Sequence, residues 1–225
     1  IYEIQGQTSI SPYLDMPVKT TGIVTGININ GYGFYMQDGQ GQWNGIYVYN
    51  NGEHNLEELA ENHMVEVTGF VNEYYGLTSI NIDEIIFDSD MYYPPPEMSN
   101  INIGEFNESF EGVKVKIHDS QCTNLENDNG NWVVNDGTGE IAIENKLYDF
   151  SPFLGYGYNI EGIGDFSLSQ YVIQAQNIVV SYEEGAPIAE AGDNQNVDMN
   201  QTVYLTGSGL DDDGTIIGYE WAQVS

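Results

Sequence analysis

The chain has 225 residues, of which 35 are Asp or Glu and four are Lys or Arg, giving a formal net charge of −31 at pH 7. All four cationic residues are lysines. The lack of arginine and the repulsive field argue against an autonomous nucleic-acid binder. The length leaves room for two ordinary domains, and the hydrophobic fraction of 40% is typical of packed rather than disordered chains. The single cysteine excludes an intrachain disulfide, and no apolar run is long enough for a membrane span.

The N-terminal part of the chain predicts five strands rich in Val, Ile, Tyr and Thr. They are expected at residues 18–27, 33–38, 45–50, 64–74 and 78–87. Between the third and fourth strands, residues 55–63 predict a short helix, because Asn55 can cap it and Leu56 and Leu59 share one face. This β-β-β-α-β-β order is that of an OB-fold, a small closed Greek-key barrel.

The same order recurs in the second half of the chain. Its strands are expected at residues 112–119, 131–136, 140–144, 158–164 and 171–180. Residues 146–150 stand where the first copy has its predicted helix. The sequence QDGQG at residues 37–41 aligns with NDGTG at residues 135–139. Each Asp-Gly pair predicts a hairpin turn rather than a catalytic aspartate. The repeat therefore indicates two copies of one supersecondary unit.

These elements predict a mainly all-β protein with two tandem OB-fold barrels and a partial β-sandwich. The predicted parts are a first OB-fold at residues 1–93, a proline-rich linker at 94–101, a second OB-fold at 102–182, a short linker at 183–187, and the partial sandwich at 188–225. The first linker contains three consecutive prolines, which favour an extended spacer.

The opening of the chain resembles a known module. The segments IQG, SPY, GIVT, QDG and GIYVY occur between residues 4 and 49 in the order found in the OB-fold module of large secreted bacterial nucleases and related surface proteins. In that family the module accompanies a separate catalytic domain. The resemblance therefore implies an accessory role for residues 1 to about 90.

The C-terminal segment is similar to the start of a polycystic-kidney-disease-type (PKD) immunoglobulin-like domain. The similarity rests on AEAGDNQNV, TVYLTGSG and DDDGTIIGYEW within residues 189–221. About 40 residues correspond to roughly three strands of a sandwich that needs about seven. Tyr204, Ile216 and Trp221 alternate onto one face. We expect another polypeptide, either a second copy or the remaining part of the same domain, to complete this fold.

Acidic side chains in the PKD-type segment raise the question of a metal. Asp211, Asp213 and Glu220 reproduce part of a calcium-binding loop pattern, and Asp193 could add a ligand from a neighbouring loop. Two interpretations stay open: a solvated acidic turn, or a weak Ca2+ site.

Aromatic residues on strands two and three predict a binding surface. Tyr35, Trp43, Tyr47 and Tyr49 lie on or between these strands, on the sheet face where OB-folds usually hold oligomeric ligands. A neutral polysaccharide would tolerate the acidic field. The same tyrosines could instead belong to the core, to an ordinary surface, or to an interface with a neighbouring copy.

The sequence contains no histidine pair with metal-ligand spacing and no Gly-x-Ser-x-Gly turn, so we expect no enzymatic activity. The composition favours an extracellular protein, and the resemblance to the nuclease module implies that it is secreted or on a bacterial surface. We therefore expect a binding or spacer module of a larger protein. The alternatives are a self-assembling subunit of an extracellular fibre and an accessory region of a secreted nuclease.

Overall fold

The computed structural model describes residues 1–28, 30–127, 129, 131–182, 188–190, 192, 201–210 and 218. The chain divides into two compact units, Ile1–Tyr182 and Glu183–Ser225. Strands dominate the described residues, and the predicted all-β class is confirmed.

The first barrel is closed by five strands. They are β1 (Pro17–Ile27), β2 (Gly33–Gln37), β3 (Gly45–Tyr49), β4 (His63–Tyr74) and β5 (Leu77–Tyr92). Their order around the barrel is β1-β2-β3-β5-β4, and β3 runs parallel to β5. Apolar side chains that alternate along these strands fill the interior, among them Val24, Phe34, Met36, Ile46, Val48 and Val67.

The second barrel repeats this topology. Its strands are β6 (Ser99–Asn100), β7 (Lys114–Asn124), β8 (Trp132–Asn135), β9 (Glu140–Glu144), β10 (Gly157–Ser167) and β11 (Gln170–Tyr182). Strands β7 to β11 follow the same circular order as the first barrel, because β10 pairs with both β11 and β7. Strand β9 runs parallel to β11, and β6 adds a short parallel edge next to β7. The predicted pair of OB-like barrels is confirmed.

The predicted helix at residues 55–63 is wrong, because this segment forms turns. The Asn55 side chain accepts a hydrogen bond from the Glu57 amide at 2.9 Å, and His63 Nδ1 accepts one from the Ala60 amide at 3.2 Å. These local bonds compete with helical ones. Leu59 is still buried in the core of the first barrel.

Helical structure occurs elsewhere in the described residues. Helix α1 (Tyr2–Gln5) precedes the first barrel and buries Ile4 in its core. Two 3-10 helices, Ile103–Glu105 and Glu108–Phe110, precede β7 of the second barrel. In each barrel, short helical turns thus precede the first long strand.

The two barrels pack against each other through a shared hydrophobic cluster. Tyr35 and Tyr47 of the first barrel contact Ile163 of the second, and Leu77 completes the cluster. Hydrogen bonds flank it: the Lys114 amide donates to Gln37 Oε1 at 2.8 Å. The proline-rich stretch between the barrels has no regular secondary structure up to β6.

The second unit contains an antiparallel pair, β12 (Ile188–Glu190) and β13 (Ser208–Leu210). Of the residues predicted to share one face, Tyr204 is exposed, whereas Ile216 and Trp221 lie outside the described residues. Completion of this unit by another polypeptide stays a prediction, as do the predicted domain boundaries.

Candidate binding groove between the two barrels

A groove of about 780 Å³ lies between the two barrels. Five tyrosines line it: Tyr35, Tyr47, Tyr49, Tyr74 and Tyr75. Four asparagines also face it: Asn28, Asn72, Asn81 and Asn129. The second barrel contributes the end of β10 and the turn that follows, residues 165–169, together with Lys146.

Strand alternation places the tyrosines of β3 in the groove. Ile46 and Val48 point into the first barrel, so Tyr47 and Tyr49 point outwards, towards the second barrel. Tyr35 pairs with Tyr47 across β2 and β3, and their ring centroids are 4.9 Å apart. The OB-like pattern of the sequence thus supplies a row of aromatic rings.

The four residues predicted to bind a ligand have different environments. Tyr35 and Tyr47 are buried at the barrel interface, with 3% and 9% of their surface exposed, whereas Tyr49 is 40% exposed. Trp43 is not among the residues that line the groove. Its amide donates a hydrogen bond of 2.7 Å to the Ser109 carbonyl. The structure thus brings three of the four together, and only Tyr49 offers an exposed ring among them.

A polar network adjoins the groove, which Tyr35, Lys146 and Asp165 of this network line. Asp165 Oδ2 accepts hydrogen bonds from the Tyr35 hydroxyl at 2.8 Å and from Gln174 Nε2 at 2.7 Å. Glu144 Oε2 contacts Gln174 Nε2 at 2.6 Å and Lys146 Nζ at 2.5 Å. Lys146 Nζ also lies 3.9 Å from Asp165 Oδ2. The ammonium group of Lys146 thus lies within ion-pair distance of two buried carboxyl groups, those of Glu144 and Asp165.

Burial and charge shift the pKa values in this network in different directions. Burial raises the pKa of Asp165 despite the charge of Lys146 and the hydrogen bonds from Tyr35 and Gln174. Burial also opposes ionisation of Glu144, but the hydrogen bond and charge of Lys146 outweigh it and the pKa of Glu144 is lowered. Burial raises the pKa of Tyr47 to about 12 and that of Tyr35 well above its usual value. Both phenols are therefore neutral hydrogen-bond donors at pH 7.

The rim of the groove is aromatic and exposed. Tyr74 and Tyr75 are 64% and 75% exposed, and their rings meet edge to face with centroids 4.8 Å apart. Phe166 and Leu168 lie on the second barrel's side. Exposed rings and amide side chains are suited to hold a ligand that has apolar faces and hydroxyl groups.

Several groove residues were not predicted from the sequence. Asp165 and Phe166 were missed because the predicted fourth strand of the second barrel ended at residue 164, whereas β10 extends to Ser167. The sequence pattern places Lys146 only in residues 146–150, the segment that stands where the first copy has its predicted helix. The pairing of Asp165 with Tyr35 joins residues 130 positions apart, and no local pattern reveals such a contact.

The predicted calcium ligands Asp193, Asp211, Asp213 and Glu220 lie outside the described residues, and the Ca2+ site stays a prediction. Among the residues that the structure describes, no group of three or more His, Cys, Asp or Glu side chains is arranged to hold a metal. None of the helices described here is both long and apolar enough to cross a membrane.

One family model matches part of the chain. The family model of the K319L-like PKD domain matches residues 191–225. This match supports the PKD-type resemblance of the C-terminal segment. No curated protein matches the chain.

Two solved structures show distant likeness to the chain. One is described as the crystal structure of the Ifi202 HINa domain in complex with 20bp dsDNA; the likeness covers 76% of this chain and 97% of that one, with 11% identity and a TM-score of 0.33. The other, described as "Structural mimicry for functional antagonism", has 12% identity, coverage of 75% and 93%, and a TM-score of 0.34. Likenesses this distant do not indicate what the chain binds.

Proposed function

We propose that this chain is a non-catalytic binding module of a larger secreted or cell-surface protein, and that the groove between its barrels binds a neutral polysaccharide. The observation that carries the proposal is the groove itself, with its five tyrosines and four asparagines. The PKD-type match and the acidic composition support the extracellular setting.

The charge distribution favours a neutral ligand. The chain carries a formal net charge of −31, which repels polyanions such as nucleic acids. Among the described residues that line the groove, only Lys146 and Asp165 are charged, and they have opposite signs. The ammonium of Lys146 is already paired with Glu144, so it is not available as a strong anion site.

The groove also matches the surface of a sugar. A pyranose ring presents C–H groups with partial positive charge, which are attracted to the negative face of an aromatic ring. Tyr49, Tyr74 and Tyr75 provide exposed rings for such stacking. The amides of Asn72 and Asn81 can donate hydrogen bonds to sugar hydroxyls and accept hydrogen bonds from them.

Affinity electrophoresis tests this proposal. Gels would contain hydroxyethyl cellulose, glucomannan, xyloglucan or dextran as neutral polysaccharides, and alginate or 20-bp DNA as polyanions. We expect retardation by at least one neutral polysaccharide and none by alginate or DNA. Retardation by DNA alone, or by no neutral polysaccharide, would contradict the proposal.

A pair of tyrosine variants locates the binding. Tyr49→Ala removes an exposed ring from the groove and should weaken binding about tenfold. Tyr2→Ala removes a comparably exposed ring of helix α1 that does not line the groove, and it should bind as the parent does. Equal binding by both variants would place the site elsewhere.

A further inference from the structure

Two equivalent hairpin turns, one from each barrel, lie at the groove. Strands β4 and β5 are joined by Tyr75 and Gly76, and strands β10 and β11 are joined by Leu168 and Ser169. These turns, here named the two hairpin tips, occupy the same position in the repeat. Tyr75, Leu168 and Ser169 line the groove.

All four turn residues adopt a left-handed backbone. Their φ angles are 53° for Tyr75, 99° for Gly76, 50° for Leu168 and 64° for Ser169. Two-residue turns with positive φ at both positions are type I′ turns, whose first position favours Asn, Asp or Gly. Tyr75 and Leu168 occupy that first position instead. A bulky side chain there is strained, because its Cβ lies close to the following carbonyl oxygen.

The fold does not recover this strain by burying the two side chains. Tyr75 is 75% exposed and Leu168 is 63% exposed. The ring contact of Tyr75 is with Tyr74, which is itself exposed. An Asn residue would form either turn with less strain and without loss of core packing. Strained residues of this kind are concentrated at ligand-binding sites.

The two tips are held next to each other. A Cβ atom on Gly76 would lie 2.7 Å from a ring carbon of Phe166, which precedes the second tip. The first tip therefore rests directly on the ring of Phe166. This contact places the first tip beside the strand end that leads into the second tip.

We infer that Tyr75 and Leu168 are specificity-determining residues of the groove. The two tips contact the apolar faces of neutral pyranose units from opposite barrels. This inference rests on the proposed polysaccharide-binding function. Tyr75 stacks its ring on the C–H face of a sugar, and Leu168 packs against the apolar part of the chain on the other side. Hydroxyl groups then face the asparagine amides of the groove.

The test uses Tyr75→Asn and Leu168→Asn in the full chain. Each substitution should raise the melting temperature by about 2–4 °C, because it relieves strain in the turn. Each should also weaken retardation by the neutral polysaccharides, about tenfold for Tyr75→Asn. Gln7→Asn serves as the matched control, since Gln7 is an exposed residue with a φ of 58° outside the groove. It should bind as the parent does.

The outcomes separate this inference from the proposed function. Weaker binding with unchanged or higher melting temperature supports the role of the tips. Variants that bind as the parent does, while Tyr49→Ala binds weakly, would overturn the role of the tips and leave the groove function intact. Variants that lose both stability and binding would make the tips structural and would also overturn the inference. A parent chain that binds none of the neutral polysaccharides would overturn the proposed function and this inference together.

Discussion

Gly45 of the first barrel and Gly112 of the second bring the two backbones into direct contact. A Cβ atom on Gly45 would lie 2.1 Å from the carbonyl carbon of Gly112, and one on Gly112 would lie 2.4 Å from the Ile46 amide nitrogen. Gly112 also has a φ of 71°, which favours glycine. The two barrels can therefore approach this closely only where both backbone segments lack side chains.

Gly45→Ala should accordingly separate the barrels. The added methyl group meets backbone atoms that cannot rotate away, so we expect a loss of about 2–3 kcal/mol in the free energy of unfolding. Urea denaturation measures it. Gly39→Ala is the control, because the three atoms nearest to its Cβ would all belong to the Asn44 side chain, the closest at 3.0 Å. A Gly45→Ala loss no larger than the Gly39→Ala loss would contradict the close packing.

Tyr35→Phe tests the hydrogen bond that crosses between the barrels. Tyr35 donates to the buried carboxyl group of Asp165, and leaving this buried acceptor without its donor should cost about 1–3 kcal/mol. Tyr47→Phe removes a bond to the neutral Tyr32 carbonyl and should cost less. Thermal and urea unfolding compare the two variants. A smaller loss for Tyr35→Phe would show that its bond is not an important contact.

The barrels could be predicted from the sequence because their strands alternate or are rich in β-branched residues, and because the repeat supports each assignment twice. The Asp-Gly prediction also describes the local chemistry of the second barrel well. Asp136 Oδ1 accepts a hydrogen bond from the Thr138 amide at 2.9 Å, as a turn residue does. Its Oδ2 accepts another from the Ile103 amide at 2.7 Å. Short-range sequence patterns thus predict most of the fold.

The groove could be predicted only in part. The alternation of side chains along a strand indicates which of them point out of a barrel, but not what covers them. Tyr35 and Tyr47 point out of the first barrel, as a surface for ligands would require, yet the second barrel buries them. Asp165 becomes significant only through its contact with Tyr35. The helix prediction at residues 55–63 was wrong for the opposite reason, since local hydrogen bonds from Asn55 and His63 outweighed a weak helical pattern.

Lys146→Met should destabilise the chain in a pH-dependent way. The lowered pKa of Glu144 contributes stability above the unfolded value near 4.5, and this contribution is lost as pH falls. Without the ammonium, Glu144 and Asp165 face each other as buried carboxylates. We expect a loss of about 1–2 kcal/mol at pH 7, reduced for the partial exposure of Lys146, and a smaller loss at pH 4.

Lys19→Met is the matched control for this variant. Lys19 pairs with Glu66 at 2.7 Å on the surface, where solvent screens the interaction. Urea denaturation of both variants at pH 7 and pH 4 makes the comparison. A Lys146→Met loss that is the same at both pH values would contradict the assigned role of the ammonium.

Glu111 is a buried carboxyl group at the junction of the barrels. Its Oε1 accepts a hydrogen bond from the Thr78 amide at 2.9 Å, whereas its Oε2 is buried without a hydrogen-bond partner among the described residues. Burial raises the pKa of Glu111 well above its usual value, and the charges of Glu108, Asp165 and Glu73 raise it further. Its contribution to stability is therefore complete below about pH 4.5 and is lost as pH rises through the folded value.

Glu111→Gln should stabilise the chain at neutral pH, because glutamine keeps an oxygen for the Thr78 amide and cannot ionise. We expect a gain of about 1–3 kcal/mol at pH 7.5 that shrinks towards zero near pH 4.5. Thermal unfolding between pH 4.5 and pH 7.5 measures the difference from the parent. Glu3→Gln removes the same charge from an exposed position and accounts for the general repulsion of a chain with net charge −31. Parallel pH profiles for Glu111→Gln and Glu3→Gln would mean that the buried carboxyl group has no special effect on stability.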